Sequence, residues 1–485
     1  MSTTLKTAPS RIEQRGIEPV PTSERNGNAL QLFWVWFAAN ISILGLPLGA
    51  SLVAFQLLNI WQSLLVAVIG AAGAFALVGV VSIAGRRGGA PSMTLSRATF
   101  GVRGNVGPTL VSLMSRLGWE TVNTTTGAFV LLSLFAILFG TSTEAKTIPL
   151  LVILAILIFE GCTLLVSGLG HAAILVIQKW ATWIFGALNV LVGGFLVATV
   201  DWTAVASAPA APVSAVLIGI GVIAAGTGIG WANAGADMAR YQRRSVSSAR
   251  LIASSAIGAG FPLVVLIGLG ALVTAGDPTL ASASDPVAAI RALLPTWMAV
   301  PYLITAFGGL LLSNHLSVYS AGLTTLTLGI RVKRVYAVTL DVVVTFLGAM
   351  YFMLVADSFY GPFITVISVL AIPITAWLAV FLVDMIKRRN YDAAGLLDLR
   401  PSSRYWYRGG VEWRAFGSWA VAILVGFMCI RVGGSAGEVW FAGPLSATVV
   451  GENGLAWVVT FVIAGGLYAL LGGARGHDLE EQHHD

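Results

Sequence analysis

The run Trp34-Val-Trp-Phe-Ala-Ala-Asn-Ile-Ser-Ile-Leu-Gly-Leu-Pro-Leu-Gly-Ala50 is apolar enough to enter a bilayer, yet it carries an amide at Asn40 and Gly45, Pro47 and Gly49 at its middle. A membrane helix with a breaker at mid-depth frees backbone carbonyls and amides that hydrocarbon cannot satisfy, so a polar group such as a substrate or an ion takes them up. A kinked span packed through small residues would read the same way. A second broken span in the other half of the chain separates the two readings, because paired broken helices meeting near the midplane mark secondary transporters.

Apolar runs of about twenty residues, the length that crosses a bilayer core, recur along the whole chain. Its 485 residues are 56% hydrophobic and 10% charged, with mean hydropathy +0.84. This predicts an all-α polytopic membrane protein. The net charge of +6 does not point to nucleic acid, because the basic residues sit in short loops where they set orientation. Cys162 and Cys429 lie in apolar runs without metal-ligand spacing and read as packing residues. The sequence holds no HExxH, GxSxG, Walker loop or Cys/His cluster, so neither an enzyme nor an ATP-driven pump is expected, and no cofactor. A channel would show a filter motif or rings of one charge, and neither is visible.

Residues 1–28 read as a polar cytoplasmic tail with no apolar stretch of signal-peptide type. Twelve spans follow at about 29–57, 60–84, 106–138, 147–168, 175–200, 213–238, 251–275, 297–328, 334–356, 360–386, 413–433 and 453–473. Alternate loops hold the Lys and Arg: Arg86, Arg87, Arg97 and Arg103; Lys179; Arg240, Arg243, Arg244 and Arg250; Arg331, Lys333 and Arg334; and Lys387 through Arg414. The opposite loops hold Lys146 and Arg291 and carry Asp201, Asp277, Asp285 and Asp357. The asymmetry predicts both termini in the cytoplasm, and the expected location is multi-pass in the plasma, or inner, membrane.

Span 6 supplies the second break. Its run Ala225-Gly-Thr-Gly-Ile-Gly-Trp-Ala-Asn-Ala-Gly-Ala-Asp237 holds four glycines, each costing about 1 kcal/mol in a helix interior. Spans 1 and 6 each begin a set of five, as an inverted repeat requires. The expected organisation is a repeat over 29–200, a second over 213–386, a cytoplasmic loop at 387–412, peripheral spans 11 and 12 over 413–473 and a cytoplasmic tail at 474–485.

Ionisable groups cost about 2.5 to 3.5 kcal/mol at a helix centre, so those inside spans are candidates for function. The most polar such run is Arg116-Leu-Gly-Trp-Glu-Thr-Val-Asn-Thr-Thr-Thr126 in span 3. Trp119 and Asn123 share a helix face one turn apart, which suits a flat heterocycle: a ring stacks on the indole and its edge meets the amide. The same residues would also serve as glue between helices. Glu160 in span 4 and Asp341 in span 9 suit a proton relay, or a structural pair with Arg116 or a hydroxyl. Ser313, Asn314, His315, Ser317 and Ser320 in span 8 offer oxygen ligands for a sodium ion, or bonds to backbone. Asn189 in span 5 reads as packing.

Six stretches carry a resemblance across nearly the whole chain: Gly16–Arg25, Trp36–Ile41, Ser96–Asn105, Ala236–Tyr241, Tyr319–Leu323 and Tyr407–Ala415. Together they are similar to the nucleobase:cation symporter family, in its purine and cytosine permease branch. The resemblance implies a leucine-transporter-like fold with a 5+5 inverted repeat plus two peripheral helices. It also implies alternating access and uptake of purines, cytosine or related heterocycles coupled to Na⁺ or H⁺. Position by position, Trp119 resembles the stacking tryptophan of span 3 and Asn123 the amide one turn later. Trp231, six residues before Asp237, resembles a fungal substrate-site tryptophan. Thr227, Gly228 and Gly230 match the unwound span 6 backbone, Asn314 the span 8 amide and Glu160 a span 4 glutamate, with Glu120 beside it as a second proton-coupling candidate.

Two departures bear on specificity. Hydantoin-type members have a tryptophan aligned with Gly228, so hydantoins are not the expected substrate. Sodium-coupled members use carbonyls matching Ala38, Ile41 and Gly309 plus two hydroxyls, and here those hydroxyl positions read Leu312 and Ser313. One ligand is missing, which weakens the sodium reading and leaves proton coupling, through Glu160 or Glu120, as its rival. The expected partners are a small nucleobase and membrane lipid, with allantoin, thiamine or pyridoxine as alternative cargo and a non-transporting base sensor as the alternative outside transport. Oligomeric state is not legible.

Overall fold

Asn28 opens the first membrane helix with a capping box: its side chain accepts from the Gln31 N–H, and the Gln31 side chain accepts from the Asn28 N–H. The helix Ala29–Asn40 ends at mid-depth, and a second helix, Gly45–Ala54, leaves it at 60°. The computed structural model describes residues 15–169, 171–277, 286–330, 332, 334–356, 360–433 and 439–472. Of the charges read as topological signals, Arg331, Lys333, Asp285 and Asp357 lie outside these residues, as does the tail 474–485.

Among the described residues nine helices are long and apolar enough to cross a membrane, and the bent pair makes ten. They form span 2 (Ile60–Gly88), span 3 (Val106–Phe139), span 4 (Pro149–Leu169), span 5 (His171–Ala198), span 6 (Val213–Ala239), span 7 (Ser248–Thr274), span 8 (Ala299–Thr327), span 9 (Arg334–Leu354) and span 10 (Tyr360–Lys387). Two shorter apolar helices, Trp413–Cys429 and Ala456–Leu470, stand where spans 11 and 12 are expected, so the count is consistent with twelve. A two-stranded antiparallel hairpin, Arg431–Gly433 with Val439–Ala442, joins them, an element the all-α reading did not contain.

The packing follows the repeat. Span 7 lies along both halves of span 1, and span 2 lies along the inner part of span 6. Backbones touch at both places. A Cβ on Gly49 would overlap the Ile267 carbonyl, and one on Gly235 would sit 2.6 Å from the Val78 carbonyl oxygen. The helix that follows each broken span therefore holds the other broken span.

The span 1 break is displaced from the sequence expectation. Gly45, Pro47 and Gly49 are helical, and the interruption is Ile41–Leu44. Pro47 stands in the first turn of the second half-helix, where its missing N–H has no intrahelical partner to lose. The proline therefore starts a helix here and does not break one.

The polar tail also departs from expectation, since from residue 15 it is docked. Val20 is fully buried, its N–H bonds the Gly89 carbonyl, and Arg25 donates to the Val20 and Arg86 carbonyls. The loop helix Ser92–Phe100 is buried along its whole length. Arg97 within it donates to the Leu396 and Thr327 carbonyls, and burial lowers its guanidinium to about 10, still charged at neutral pH. Arg240 donates to the Gly16 carbonyl and the Tyr319 hydroxyl. Asp384 accepts from Thr99, Arg388 and Tyr468. The Arg-rich face is thus sealed by buried polar contacts. Elsewhere a cavity of about 510 Å³ lies between spans 6 and 10, the two short apolar helices and the hairpin, lined among others by Thr375, Arg431, Glu452 and Trp457.

Candidate functional site

Span 6 loses its helix at Thr227, whose backbone (φ −132°, ψ −107°) is outside the helical region within the wide turn Ala225–Ile229. The Thr227 hydroxyl donates back to the Ile223 carbonyl at 2.6 Å and so takes up one of the groups that the break exposes. A 3₁₀ turn, Ala232–Ala234, and a short helix, Gly235–Ala239, then carry the chain to Asp237. Its carboxylate accepts from the Ser92 N–H at 2.7 Å and the Ser320 hydroxyl at 2.6 Å, which pins this end to the loop helix and to span 8.

The glycines have two different duties. Gly228 faces span 2 so closely that a Cβ would overlap the Ala74 backbone, and Gly230 faces Trp119, whose Nε1 would lie 3.0 Å from an added Cβ. No side chain fits at Gly228, and a tryptophan there would require span 2 to move.

The two breaks meet. Asn40, Ser42 and Leu44 from span 1, Trp119 from span 3, Gly226, Thr227 and Trp231 from span 6, and Ser313 from span 8 line one cavity of about 50 Å³. That holds a few waters and not a heteroaromatic ring. On its other side Trp119 lines a second cavity of about 200 Å³, with Ser115, Thr121, Gly230 and apolar residues of spans 9 and 10 such as Val344 and Ile367. Trp119 therefore stands in a wall common to both. Trp36 packs edge-on against Trp231, with ring centroids 5.5 Å apart.

Of the residues expected to touch a base, Trp119, Thr227 and Trp231 line the first cavity and Gly230 the second. Asn123 is buried one turn from Trp119 and lines neither; its Oδ1 has no partner. Asn314 also lines neither, and its Nδ2 donates to Thr163 Oγ1 at 3.1 Å. Asn189 bonds its own helix at the Phe185 carbonyl. Ser42 was not singled out from the sequence, although a hydroxyl one residue past Ile41 inside the broken run was the available signal.

The proposed ion ligands fall into two groups. Gly309 packs on Ile41, whose carbonyl oxygen would be 2.8 Å from an added Cβ. Ala38, Ile41 and Leu312 make a small apolar cluster with Phe37, Ala181 and Phe185 flanking it. Leu312 thus puts hydrocarbon where a second hydroxyl would be needed, while Ser313 turns to the cavity. The carboxyl groups of Glu160 and Asp341 both lie near that of Glu120. Glu160 accepts from Thr124 at 2.7 Å and Thr345 at 2.8 Å, Asp341 accepts from Thr325 at 3.2 Å, and Glu120 is fully buried with no partner for either oxygen. Among the described residues no group of three or more His, Cys, Asp or Glu is arranged to hold a metal ion.

Two half-broken helices converging on an aromatic-walled cavity inside a bundle of this topology define a secondary transporter. The chain belongs to the family of permeases for cytosine/purines, uracil, thiamine and allantoin, whose model matches residues 19–451. It is a permease and not an enzyme. A putative purine-cytosine permease of Bacillus subtilis, YxlA, is 25% identical over 95% of this chain and 96% of its own length. Purine-cytosine permease FCY22 of Saccharomyces cerevisiae is 27% identical over 56% of this chain, which spans about half of that protein (51%). Among solved structures, Mhp1, a nucleobase-cation-symport-1 family transporter in a closed conformation with bromovinylhydantoin bound, matches with a TM-score of 0.74 at 18% identity, covering 98% of this chain and 100% of that one. The fold is therefore the leucine-transporter-like one that the sequence predicted.

Proposed function

We propose that this permease imports a purine or cytosine-like base across the plasma (inner) membrane, by alternating access and in symport with protons. The observation that carries the reading is the cavity bounded by Trp119 and Trp231 and floored by both backbone breaks, Ile41–Leu44 with the adjoining Asn40, and Gly226–Thr227. Indole faces hold a flat ring, and freed backbone groups with the Asn40, Ser42 and Ser313 side chains offer donors and acceptors to its edge. Gly228, closed against span 2, argues against a hydantoin-sized demand for a tryptophan at that point. The names of the Bacillus and yeast relatives support a base as cargo.

Asn123 and Asn314 contact the base once the cavities on either side of Trp119 join, and the partnerless oxygen on each is the group left for it. The Arg-rich face is the cytoplasmic one, so this conformation is closed toward the cytoplasm. Protons, not sodium, are the coupling ion because Leu312 fills the place of a hydroxyl ligand with hydrocarbon, while Glu120 and Glu160 are buried carboxyl groups with unpartnered oxygens.

The test is uptake of radiolabelled cytosine, adenine, hypoxanthine, uracil, allantoin and thiamine into proteoliposomes, with pH and sodium gradients imposed separately. Accumulation of a purine or cytosine under a pH gradient alone is the expected result. Accumulation under sodium alone would overturn the proton assignment, and accumulation of allantoin or thiamine in place of any base would overturn the cargo.

A further inference from the structure

Arg116 is fully buried in the middle of the bundle, and the uses found above for Trp119, Thr227 and the carboxyl groups leave it without a role. A buried cation needs compensation, and this one takes it from span 6: its Nη2 donates to the Gly230 carbonyl, just past the break, and its guanidinium lies over the Trp231 ring, 4.3 Å from the centroid. Both partners belong to the segment that lines the base cavity. The other side of the guanidinium is unused, since Nε and Nη1 have no hydrogen-bond partner.

Four residues further along the same helix, and so one turn away on the same face, stands Glu120. Its carboxyl makes no hydrogen bond to Arg116, which is among its charged neighbours, and the Ser317 hydroxyl of span 8 lies within its reach. The remaining charged or titratable groups around the pair come from three other spans, Glu160 of span 4, Asp341 of span 9 and Asp237 of span 6, which faces the arginine, and span 8 turns the Ser317 hydroxyl toward Glu120. An ionised Glu120, beside two further carboxyl groups and with the Arg116 guanidinium bound to span 6, would be a poorly compensated buried charge. The arrangement fits a neutral carboxyl that leaves the guanidinium to span 6.

We propose that Arg116 is a positioning residue that links proton occupancy of Glu120 to the conformation of broken span 6. With Glu120 protonated, Arg116 holds the Gly230 carbonyl and the Trp231 ring, which keeps the base cavity assembled and the cytoplasmic side shut. When Glu120 loses its proton, the carboxylate draws the guanidinium along its own helix, because an ion pair in low dielectric outweighs one carbonyl bond and a ring contact. Gly230 and Trp231 are then released, so base and proton leave together. The direction of this coupling rests on the proton-symport reading above; the link between Arg116 and span 6 does not.

Two measurements on purified full-length protein test it. The first is hydrogen exchange of peptides covering 225–235, corrected for intrinsic pH dependence, in wild type, Glu120→Gln, Arg116→Gln and Arg116→Lys. Wild type is expected to lose protection as pH rises, Glu120→Gln to stay protected at every pH, and Arg116→Gln to be unprotected throughout. Arg116→Lys, which keeps charge but not the planar fork, should fall between, and monodisperse elution of that variant guards against misfolding of the other. The second is equilibrium base binding against pH, where wild-type affinity should fall about tenfold on alkalisation and Arg116→Lys should flatten the profile. Wild-type exchange profiles in both arginine variants would overturn the proposal. If no base binds wild type, the cargo assignment fails, and the exchange measurement still decides the role of Arg116.

Discussion

Spans 1 and 6 open the two halves of the molecule and both stop being helical at mid-depth, but their breaks are made of different things. In span 1 the break is a gap of four residues, Ile41–Leu44, between two well-formed helices at 60°. In span 6 it is a distortion, a wide turn and a 3₁₀ turn in sequence, with Thr227 alone far from helical geometry. Span 1 exposes its freed groups and side chains to the cavity, whereas span 6 has the Gly230 carbonyl just past its break claimed by Arg116. Both breaks face one cavity, and only the span 6 break has a carbonyl bound by a buried arginine among the described residues.

The contrast yields experiments, the most severe first. Trp119 adjoins both breaks, and Trp119→Ala should remove a stacking surface worth about 1 to 3 kcal/mol and take uptake below detection at unchanged membrane expression. Normal uptake would show that neither break is part of the base site.

Gly49→Ala and Gly228→Ala should each destabilise the folded transporter by about 1 to 3 kcal/mol, read as a lower melting temperature in detergent, because an added methyl has nowhere to go against spans 7 and 2. A tolerated Gly228→Ala would mean that span 6 can slide on span 2, and the two breaks would be less alike than their packing suggests.

Leu312→Thr restores the second hydroxyl beside Ser313 and should introduce a sodium stimulation of base binding that wild type lacks. If it does not, the carbonyls of Ala38, Ile41 and Gly309 are not arranged for an ion.

Pro47→Ala should change stability by less than about 1 kcal/mol, since a proline in a first turn costs no intrahelical bond. A large loss would return the proline to the role of breaker.

The smallest effect is expected far from both breaks. Arg400 and Ser402 hold the exposed Asp398 carboxyl down at about 2. A depressed carboxyl contributes stability above its unfolded pKa and loses it only as pH falls through the depressed value. Asp398→Asn should therefore leave the pH profile of uptake unchanged across the mildly acid to alkaline range. A shifted profile would move the search for the proton-sensing group away from Glu120 and span 6.

The spans and their order were legible in the chain, because twenty apolar residues in bilayer are helical whatever their neighbours do, and the count of twelve is consistent with the structure. So was the existence of a break in spans 1 and 6, since glycine and proline clusters weaken a helix locally. Where each break falls was not. Pro47 and the glycines of span 1 ended up inside a helix because position relative to a helix end, and contact with span 7, decide whether such a residue interrupts or packs. The positive loops were read as topology alone, yet Arg97 and Arg240 are buried fastenings. Charge in a loop sets orientation by composition, whereas a hydrogen bond needs a partner that only the folded chain supplies.

The sequence by itself determined a membrane bundle of two like halves, with Trp119, Thr227 and Trp231 as its aromatic and broken-backbone hallmarks, because hydropathy and helix propensity act over short distances. The tertiary structure alone decided that those three share one cavity with Asn40 and Ser313, that Asn123 and Asn314 stand outside it, and that Arg116 turns from Glu120 to Gly230. Those choices depend on which helix faces which across the bundle, and on how buried polar groups from distant parts of the chain satisfy one another.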